Sequence, residues 1–276
     1  MNLLYTFEQT CVRLRHSSLF KQAAPLWNVL RPVYDGVLGI LGSRGLERHI
    51  NGTDTIRVIP ELRGVQETYE PEVWALLMPK LGPGSRVIDV GAHVGLYAVA
   101  MGNRVRPGGR VLAAEPDPGN VSLLRRQIAL NDLESIVTVL PAALSDRSGA
   151  ATLSTRGIES RVTTSADWGT GSMTIALQTL DEATAGECWN LLLIDVEGFE
   201  EKVLRGGRAL LADPVRRPQT VLVEVHPYIW DEPGTTSDSL LHELKQHGYA
   251  VHFLDGGEVT HIENYGHIIA TIPARA

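Results

Sequence analysis

The stretch Val87-Ile88-Asp89-Val90-Gly91-Ala92-His93-Val94-Gly95-Leu96-Tyr97 limits what this chain can fold into more than any other. Val87, Ile88 and Val90 are β-branched and broken only by Asp89, which predicts a strand of a parallel sheet covered on both faces. Gly91 and Gly95 then permit positive φ and close backbone approach, and the helix expected after them offers unpaired N–H groups to a ligand. The pattern departs from the dinucleotide fingerprint, whose second glycine falls where His93 stands here. A side chain at that place hinders a pyrophosphate on the helix and tolerates an adenosine ligand without phosphates.

The next expected strand, Arg110 to Ala114, runs into Glu115-Pro116-Asp117-Pro118. In nucleotide-binding βαβ units a carboxylate about 20 residues past the glycines accepts hydrogen bonds from the ribose hydroxyls; Glu115 lies 24 residues after Gly91. The plainer reading of Glu115 is a helix-start carboxylate facing the dipole. Asn120 to Leu130 reads as a helix with Val121, Leu124 and Ile128 on one face, and Ile136 to Leu140 as a strand. The rhythm breaks after Ala143-Leu144-Ser145-Asp146. About 40 residues rich in Ser, Thr and Gly follow, with short strands expected at Ala150–Ser154 and Ser172–Leu177 and a mobile loop from Arg156 to Gly171.

Leu191 to Ile194 restores a buried strand, which ends in Asp195-Val196-Glu197-Gly198-Phe199-Glu200. A helix is expected from about Glu200 to Leu211. The carboxyl end of a strand in an open parallel sheet faces the ligand crevice. Asp195 is a site candidate there, although it could also cap the helix while Glu197 and Glu200 meet its dipole. In Val221-Leu222-Val223-Glu224-Val225-His226-Pro227, a period of two puts Glu224 and His226 on the same side. They read as base and orienter, or as metal ligands beside Asp195. His242, His247, His252, His261 and His267 show no ligand spacing and read as structural or solvated.

The N-terminal fifty residues carry a different charge from the rest. They hold +3, which leaves −10 for residues 51–276 of a chain whose net charge is −7. An acidic main domain argues against a nucleic-acid partner and suits a cationic ligand. Leu3, Leu4, Phe7, Cys11 and Leu14, then Leu26, Val29, Leu30, Val33, Val37 and Leu41, recur at helical spacing. Residues 1–66 therefore read as a helical extension or lid packed on the rest, which could also meet a membrane surface or mediate contact between copies of the chain, and 67–276 as the main domain. Cys11 and Cys188 are too few for a disulfide framework and lie outside metal spacing. No apolar run reaches the ~20 residues of a membrane span, and no leader pattern opens the chain. The expectation is a cytoplasmic protein.

Taken in order, Tyr69-Glu70-Pro71-Glu72-Val73, Ile88-Asp89-Val90-Gly91-Ala92 with Gly95, Glu115-Pro116, Ala143-Leu144-Ser145-Asp146, Thr179-Leu180-Asp181, Ile194-Asp195-Val196-Glu197-Gly198 with Glu200, and Glu224-Val225-His226-Pro227 resemble the FkbM-type S-adenosylmethionine-dependent methyltransferases. The resemblance covers roughly residues 67–255. One departure is Leu193, where the family commonly has a lysine.

The resemblance implies an α/β class I methyltransferase fold: a Rossmann-like, doubly wound, mostly parallel sheet of seven strands with one antiparallel. It implies O-methylation of a hydroxyl on a sugar or hydroxylated natural product, with S-adenosyl-L-methionine as cofactor. Asp89, Gly91, Ala92, His93 and Gly95 would line its methionine part, Glu115 the ribose, and Ala143 and Leu144 the adenine. Glu70 would approach from the preceding helix, and Asp195 would lie below the sulfonium. His226 is the candidate base. A divalent ion, Mg2+ on Asp195 and Glu224, is the other way to activate the hydroxyl. Two other classes share the sequence features: a nicotinamide oxidoreductase and a cofactor-binding module without turnover. Trp168 and the Tyr228-Ile229-Trp230 segment are expected either to contact the acceptor, stacking on a sugar or ring, or equally to pack in the core or a lid.

Overall fold

The computed structural model describes residues 45–156, 159–163 and 171–273, with the side chains of 155–163 left aside. Contacts divide the chain into two compact units. One comprises residues 1–71 with 129–132, and the other residues 72–128 with 133–276.

In the first unit, β1 (Leu46–Ile50) and β2 (Asp54–Val58) form an antiparallel hairpin with Leu46 opposite Val58. Alternation sets it: Leu46, Ile50, Ile56 and Val58 are buried, while His49 and Thr55 face water. Asn131 closes the unit by accepting from the Arg57 backbone N–H at 2.9 Å and donating to the Arg57 carbonyl at 2.8 Å. The two helices expected at Leu3–Leu14 and Leu26–Leu41 lie outside the described residues.

The second unit is built on seven strands: β3 (Arg86–Val90), β4 (Arg110–Ala114), β5 (Val137–Leu140), β10 (Leu191–Ile194), β11 (Thr220–Val225), β12 (Ala250–Phe253) and β13 (Gly266–Thr271). Their order in space is β12-β13-β11-β10-β3-β4-β5. All the pairings from β11 across to β5 are parallel, and β13 runs against both of its neighbours. Every residue of β10 and β11 is buried, as strands covered on both faces require. This is the expected doubly wound sheet with one antiparallel strand.

Among the helices, α1 (Pro71–Leu77) precedes β3, α2 (Leu96–Val105) follows it, and α3 (Pro118–Leu130) follows β4. α2 buries Leu96, Val99, Met101 and Val105. After β10 the expected single helix is two: α5 (Glu200–Arg205) and α6 (Arg208–Ala212), with α4 (Leu180–Ala183) before β10. The break has local causes. A Cβ on Gly206 would lie 2.0 Å from the Ser145 carbonyl oxygen, and the Asp181 carboxylate accepts from the N–H groups of Ala209 and Leu210, capping a new helix start. α7 (Ser237–Lys245) opens with a capping box from Thr236 and Ser239.

The Ser/Thr/Gly-rich stretch is more ordered than its sequence suggests. β6 (Ala143–Ser145), β7 (Gly149–Arg156), β8 (Glu159–Thr163) and β9 (Gly171–Thr179) form a second sheet in the order β6-β9-β7-β8. β8 lies within the segment expected to be a loop, paired antiparallel to β7. Its sequence, Glu159-Ser160-Arg161-Val162-Thr163, has one apolar residue and no period of two, so the hairpin partner rather than the local pattern defines this strand. Among the described residues, no helix is long and apolar enough to cross a membrane.

Candidate functional site

At the carboxyl end of β3 the chain turns through Gly91 (φ +89), His93 (φ +48) and Gly95 (φ +91). Gly91 admits no other residue: a Cβ there would sit 1.7 Å from the backbone oxygen of Asp195. The N–H groups of Gly91 and Ala92 both donate to the Ala114 carbonyl, tying the turn to the end of β4. Glu115, which follows β4, is 4% exposed. Its carboxylate accepts from the backbone N–H of His93 and of Asp117, each at 2.9 Å, and from the Asn120 amide at 3.4 Å. Glycine turn and acid are thus one structure. Burial pushes the Glu115 carboxyl above its usual range, against the lowering effect of those three donors.

Asp89 is more deeply buried, at 2% exposure, and its Oδ2 has no hydrogen-bond partner among the described residues. Burial, with the Glu115 charge second, pushes its carboxyl up to about 7. An unpaired buried carboxylate is costly unless a cation or donor meets it.

The second cluster stands at the ends of β10 and β11. Glu197 (φ +47) and Gly198 (φ +96) make a tight turn after Asp195, and a non-glycine residue in the left-handed region is strained. This turn brings Glu200 under β11. Glu200 is fully buried and accepts three hydrogen bonds: from the Gly198 N–H at 2.8 Å, the Trp230 indole at 3.0 Å and His226 Nδ1 at 2.7 Å. A carboxylate can only accept, so the Nδ1 proton is fixed and Nε2 is the atom left for chemistry. Nε2 lies 3.7 Å from a Glu197 oxygen. Burial opposes the charged imidazole, but the Glu200 hydrogen bond and the charges of Glu200, Glu197 and Glu224 outweigh it and raise the His226 pKa.

Glu224 pairs across the sheet with His267, whose Nε2 is 3.8 Å from its carboxylate, and accepts from the Tyr265 hydroxyl. The Tyr265 and Tyr228 rings lie 5.4 Å and 5.9 Å from the His226 ring. Donor atoms of Asp195, Glu224 and His226 all fall within 4.8 Å of one another.

Residues 89–251, more than half of the chain, match the family described as the methyltransferase FkbM domain. The chain belongs to this family. The FkbM match begins at Asp89 and takes in Gly91, Glu115, Asp195, Glu200 and His226. A curated relative, the methyltransferase sdnD of Sordaria araneosa, is 39% identical over 67 residues, a stretch that spans 24% of this chain and 26% of that protein. Among solved structures, an FkbM methyltransferase of Methylobacillus flagellatus aligns with a TM-score of 0.46 and 15% identity over 68% of this chain and 43% of that one. A SAM-dependent O-methyltransferase of Thermotoga maritima aligns with a TM-score of 0.45 and 13% identity over 82% and 70%.

The residues singled out in the sequence fall into two groups within the FkbM domain. Asp89, Gly91, Ala92, His93, Gly95 and Glu115 meet at the β3 and β4 ends, and Asp195, Glu224 and His226 at the β10 and β11 ends. Ala143 and Leu144 form β6 and are buried. Glu70, with φ +38, belongs to the first unit. Trp230 takes the packing alternative: it is 4% exposed and its indole donates to Glu200. Trp168 lies outside the described residues. Glu200, Tyr265 and His267 carry roles that local pattern does not disclose. Glu200 is visible only as one of several acids after a strand; His267 joins the cluster through the antiparallel register of β13, and Tyr265, just before that strand, through its hydroxyl on Glu224.

Proposed function

We propose that the chain is a cytoplasmic S-adenosylmethionine-dependent O-methyltransferase acting on a hydroxyl of a sugar or hydroxylated natural product, with His226 as its base. The observation that carries this reading is the buried Glu200–His226 pair, which leaves His226 Nε2 as the one imidazole nitrogen for proton transfer.

The residues at the β3 and β4 ends fit the cofactor. The partnerless Asp89 oxygen suits a ligand ammonium. Glu115 has about four acceptor positions, of which three are taken, which leaves room for a ribose hydroxyl. Asp89, Gly91, Ala92, His93 and Gly95 would hold the methionine part and Ala143 and Leu144 the adenine, with Asp195 as a further contact. When bound, the cofactor supplies a methyl group activated on a cationic sulfonium.

His226 then has a defined task. An alcohol proton, with a pKa near the ~15.7 of water, leaves only as the new bond to oxygen forms. His226 takes it at Nε2, and Glu200 holds the imidazolium through Nδ1. Glu197 and Glu224 favour the same charged form. Holding donor and acceptor in line supplies most of the acceleration.

Mg2+ suits this cluster poorly. It favours oxygen ligands at about 2.0–2.1 Å in near-octahedral array. Here one donor of three is an imidazole, and Glu224 already accepts from Tyr265. No step is assigned to a metal. Incubation with isotopically labelled S-adenosylmethionine and extracts or purified hydroxylated compounds, read by mass spectrometry, tests the function. Label in a hydroxylated product supports it; cofactor binding without label across a broad acceptor panel points to a module without turnover.

A further inference from the structure

The order of strands lays the functional groups out in a row along the carboxyl edge of the sheet. Glu115 follows β4, Gly91 follows β3, Asp195 follows β10, and Glu224 and His226 end β11. Beyond them come Gly266, paired with Val225 at the start of the antiparallel β13, and Phe253 at the end of β12. Neighbouring strands lie about 4.8 Å apart. A ligand seated over β4 and β3 therefore ends near β10, and the surface over β13 and β12 is left to another molecule. A cavity of about 360 Å3 lies there, with Phe253, His261, Glu263, Asn264, Tyr265 and His267 in its lining. Small-molecule sites span roughly 300–1,000 Å3.

We propose that this cavity is the subsite of the methyl acceptor, and that the acceptor is an uncharged, hydroxyl-bearing ring rather than a phosphorylated or carboxylated one. The inference rests on the methyl-transfer reading above and goes beyond it by naming the place and the charge class of the acceptor.

Tyr265 connects the cavity to the chemistry. Its ring lines the cavity and lies 5.4 Å from the His226 ring, and its hydroxyl donates to Glu224. The cavity thus adjoins His226 through Tyr265. The apolar surface is of the right kind as well. Tyr265 is 58% exposed and Phe253 38%, and Tyr228, 69% exposed, stands edge-on to His226. Aromatic faces left in water at a cavity mouth stack on the C–H face of a sugar or on a flat ring.

Charge decides between acceptor classes. No Lys or Arg is among the described residues that line the cavity, whereas Glu263 is. Glu224 adjoins it through Tyr265, and Glu197 stands beside His226. His267 faces Glu224, and His261 is the remaining imidazole of the lining. Phosphate and carboxylate recognition relies on Arg or Lys forks or on bundled N–H groups. An anion here would meet carboxylates instead. Asn264, His261 and Glu263 offer neutral hydroxyls both donors and acceptors.

Ligand-observed saturation-transfer NMR on the full chain loaded with S-adenosylhomocysteine tests this. The probes are methyl glycopyranosides of gluco, galacto and rhamno configuration, set against the matching uronates and 6-phosphates. At least one neutral pyranoside is expected to bind, and to bind about tenfold or more weakly in Tyr265→Ala and in Phe253→Ala. Calorimetry should show the S-adenosylhomocysteine Kd of both variants within about twofold of the parent, which establishes that they fold. The anionic counterparts are expected to bind about tenfold or more weakly than the neutral ring. The proposal is overturned if no neutral pyranoside binds the loaded chain, if an anionic counterpart binds as tightly, or if binding survives both substitutions. Failure of S-adenosylhomocysteine itself to bind sinks the methyl-transfer reading, and the subsite with it.

Discussion

Glu200 and His226 are 26 residues apart in the chain, and their side chains meet at 2.7 Å inside the protein. The contact sets which imidazole nitrogen is protonated and, with the surrounding carboxylates, raises the His226 pKa above its ordinary 6.5. On the proposed reading Glu200 is a positioning residue, since it would act on the acceptor only through His226.

Glu200→Gln keeps the shape and removes the charge. Its kcat is expected to fall about a hundredfold or more with little change in KM. The pH profile provides the readout that a merely structural role would not move. The base form of His226 grows as pH rises through its pKa, so the rising limb of the wild-type rate lies above pH 6.5; in Glu200→Gln burial is less opposed and the limb moves to lower pH. NMR titration of the His226 ring should show the same displacement. Stability follows with a definite sign. A histidine whose folded pKa is raised contributes fully below pH 6.5 and loses that contribution as pH rises through the folded value. An unchanged limb in Glu200→Gln would remove His226 from the role of base.

Asp89 offers a thermodynamic test that needs no substrate. Its carboxyl titrates near 7 when folded and near 3.8 when unfolded. The folded chain therefore holds the proton more tightly, and stability falls between about pH 4 and 7. Asp89→Asn lacks this loss. Its Tm should match the parent near pH 4 and exceed it by several degrees at pH 8, on a scale of about 2–4 °C per kcal/mol for a domain of this size. On the proposed reading, in which the buried carboxylate meets the ammonium of the cofactor, the same variant should bind S-adenosylmethionine more weakly. Equal Tm differences at both pH values would mean that Asp89 titrates normally.

The parts legible in the sequence are those written in contiguous residues. The β3 strand, the Gly91 turn and Glu115 are all local, and burial on both faces leaves β10 and β11 as apolar runs that name themselves. The parts not legible depend on contacts across the fold. Whether α5 continues into α6 is settled by Asp181 and Ser145, 25 and 61 residues upstream of the break at Gly206. His267 reads as an ordinary histidine until the antiparallel register sets it opposite Glu224. Trp230 looks like a stacking platform by type and place, and only its indole contact with Glu200 shows it facing inward.

Chelation separates proton chemistry from ligation at Asp195 and Glu224. Dialysis of the protein against EDTA is expected to leave the initial rate of the proposed reaction within about twofold, given a mixed donor set that suits Mg2+ poorly. A loss that Mg2+ restores would instead make Asp195 and Glu224 ligands, and would transfer activation of the hydroxyl from His226 to the metal.

Two glycine substitutions distinguish close approach from backbone conformation. Gly91 and Gly84 have nearly the same φ, +89 and +84, but a Cβ on Gly84 meets nothing within 4 Å. Gly84→Ala therefore suffers only left-handed strain, about 1–2 kcal/mol, and should lower Tm by about 2–8 °C. In Gly91→Ala the new carbon would overlap the Asp195 carbonyl oxygen at 1.7 Å. Backbone has no rotamer by which to yield, so β3 and β10 must part at the end where both clusters stand. The expected loss is above about 4 kcal/mol, in the range reserved for severe lesions, accompanied by loss of S-adenosylmethionine binding. Similar Tm values for the two variants would mean that the turn relaxes freely, and that contact with Asp195 does not hold the glycine loop in place.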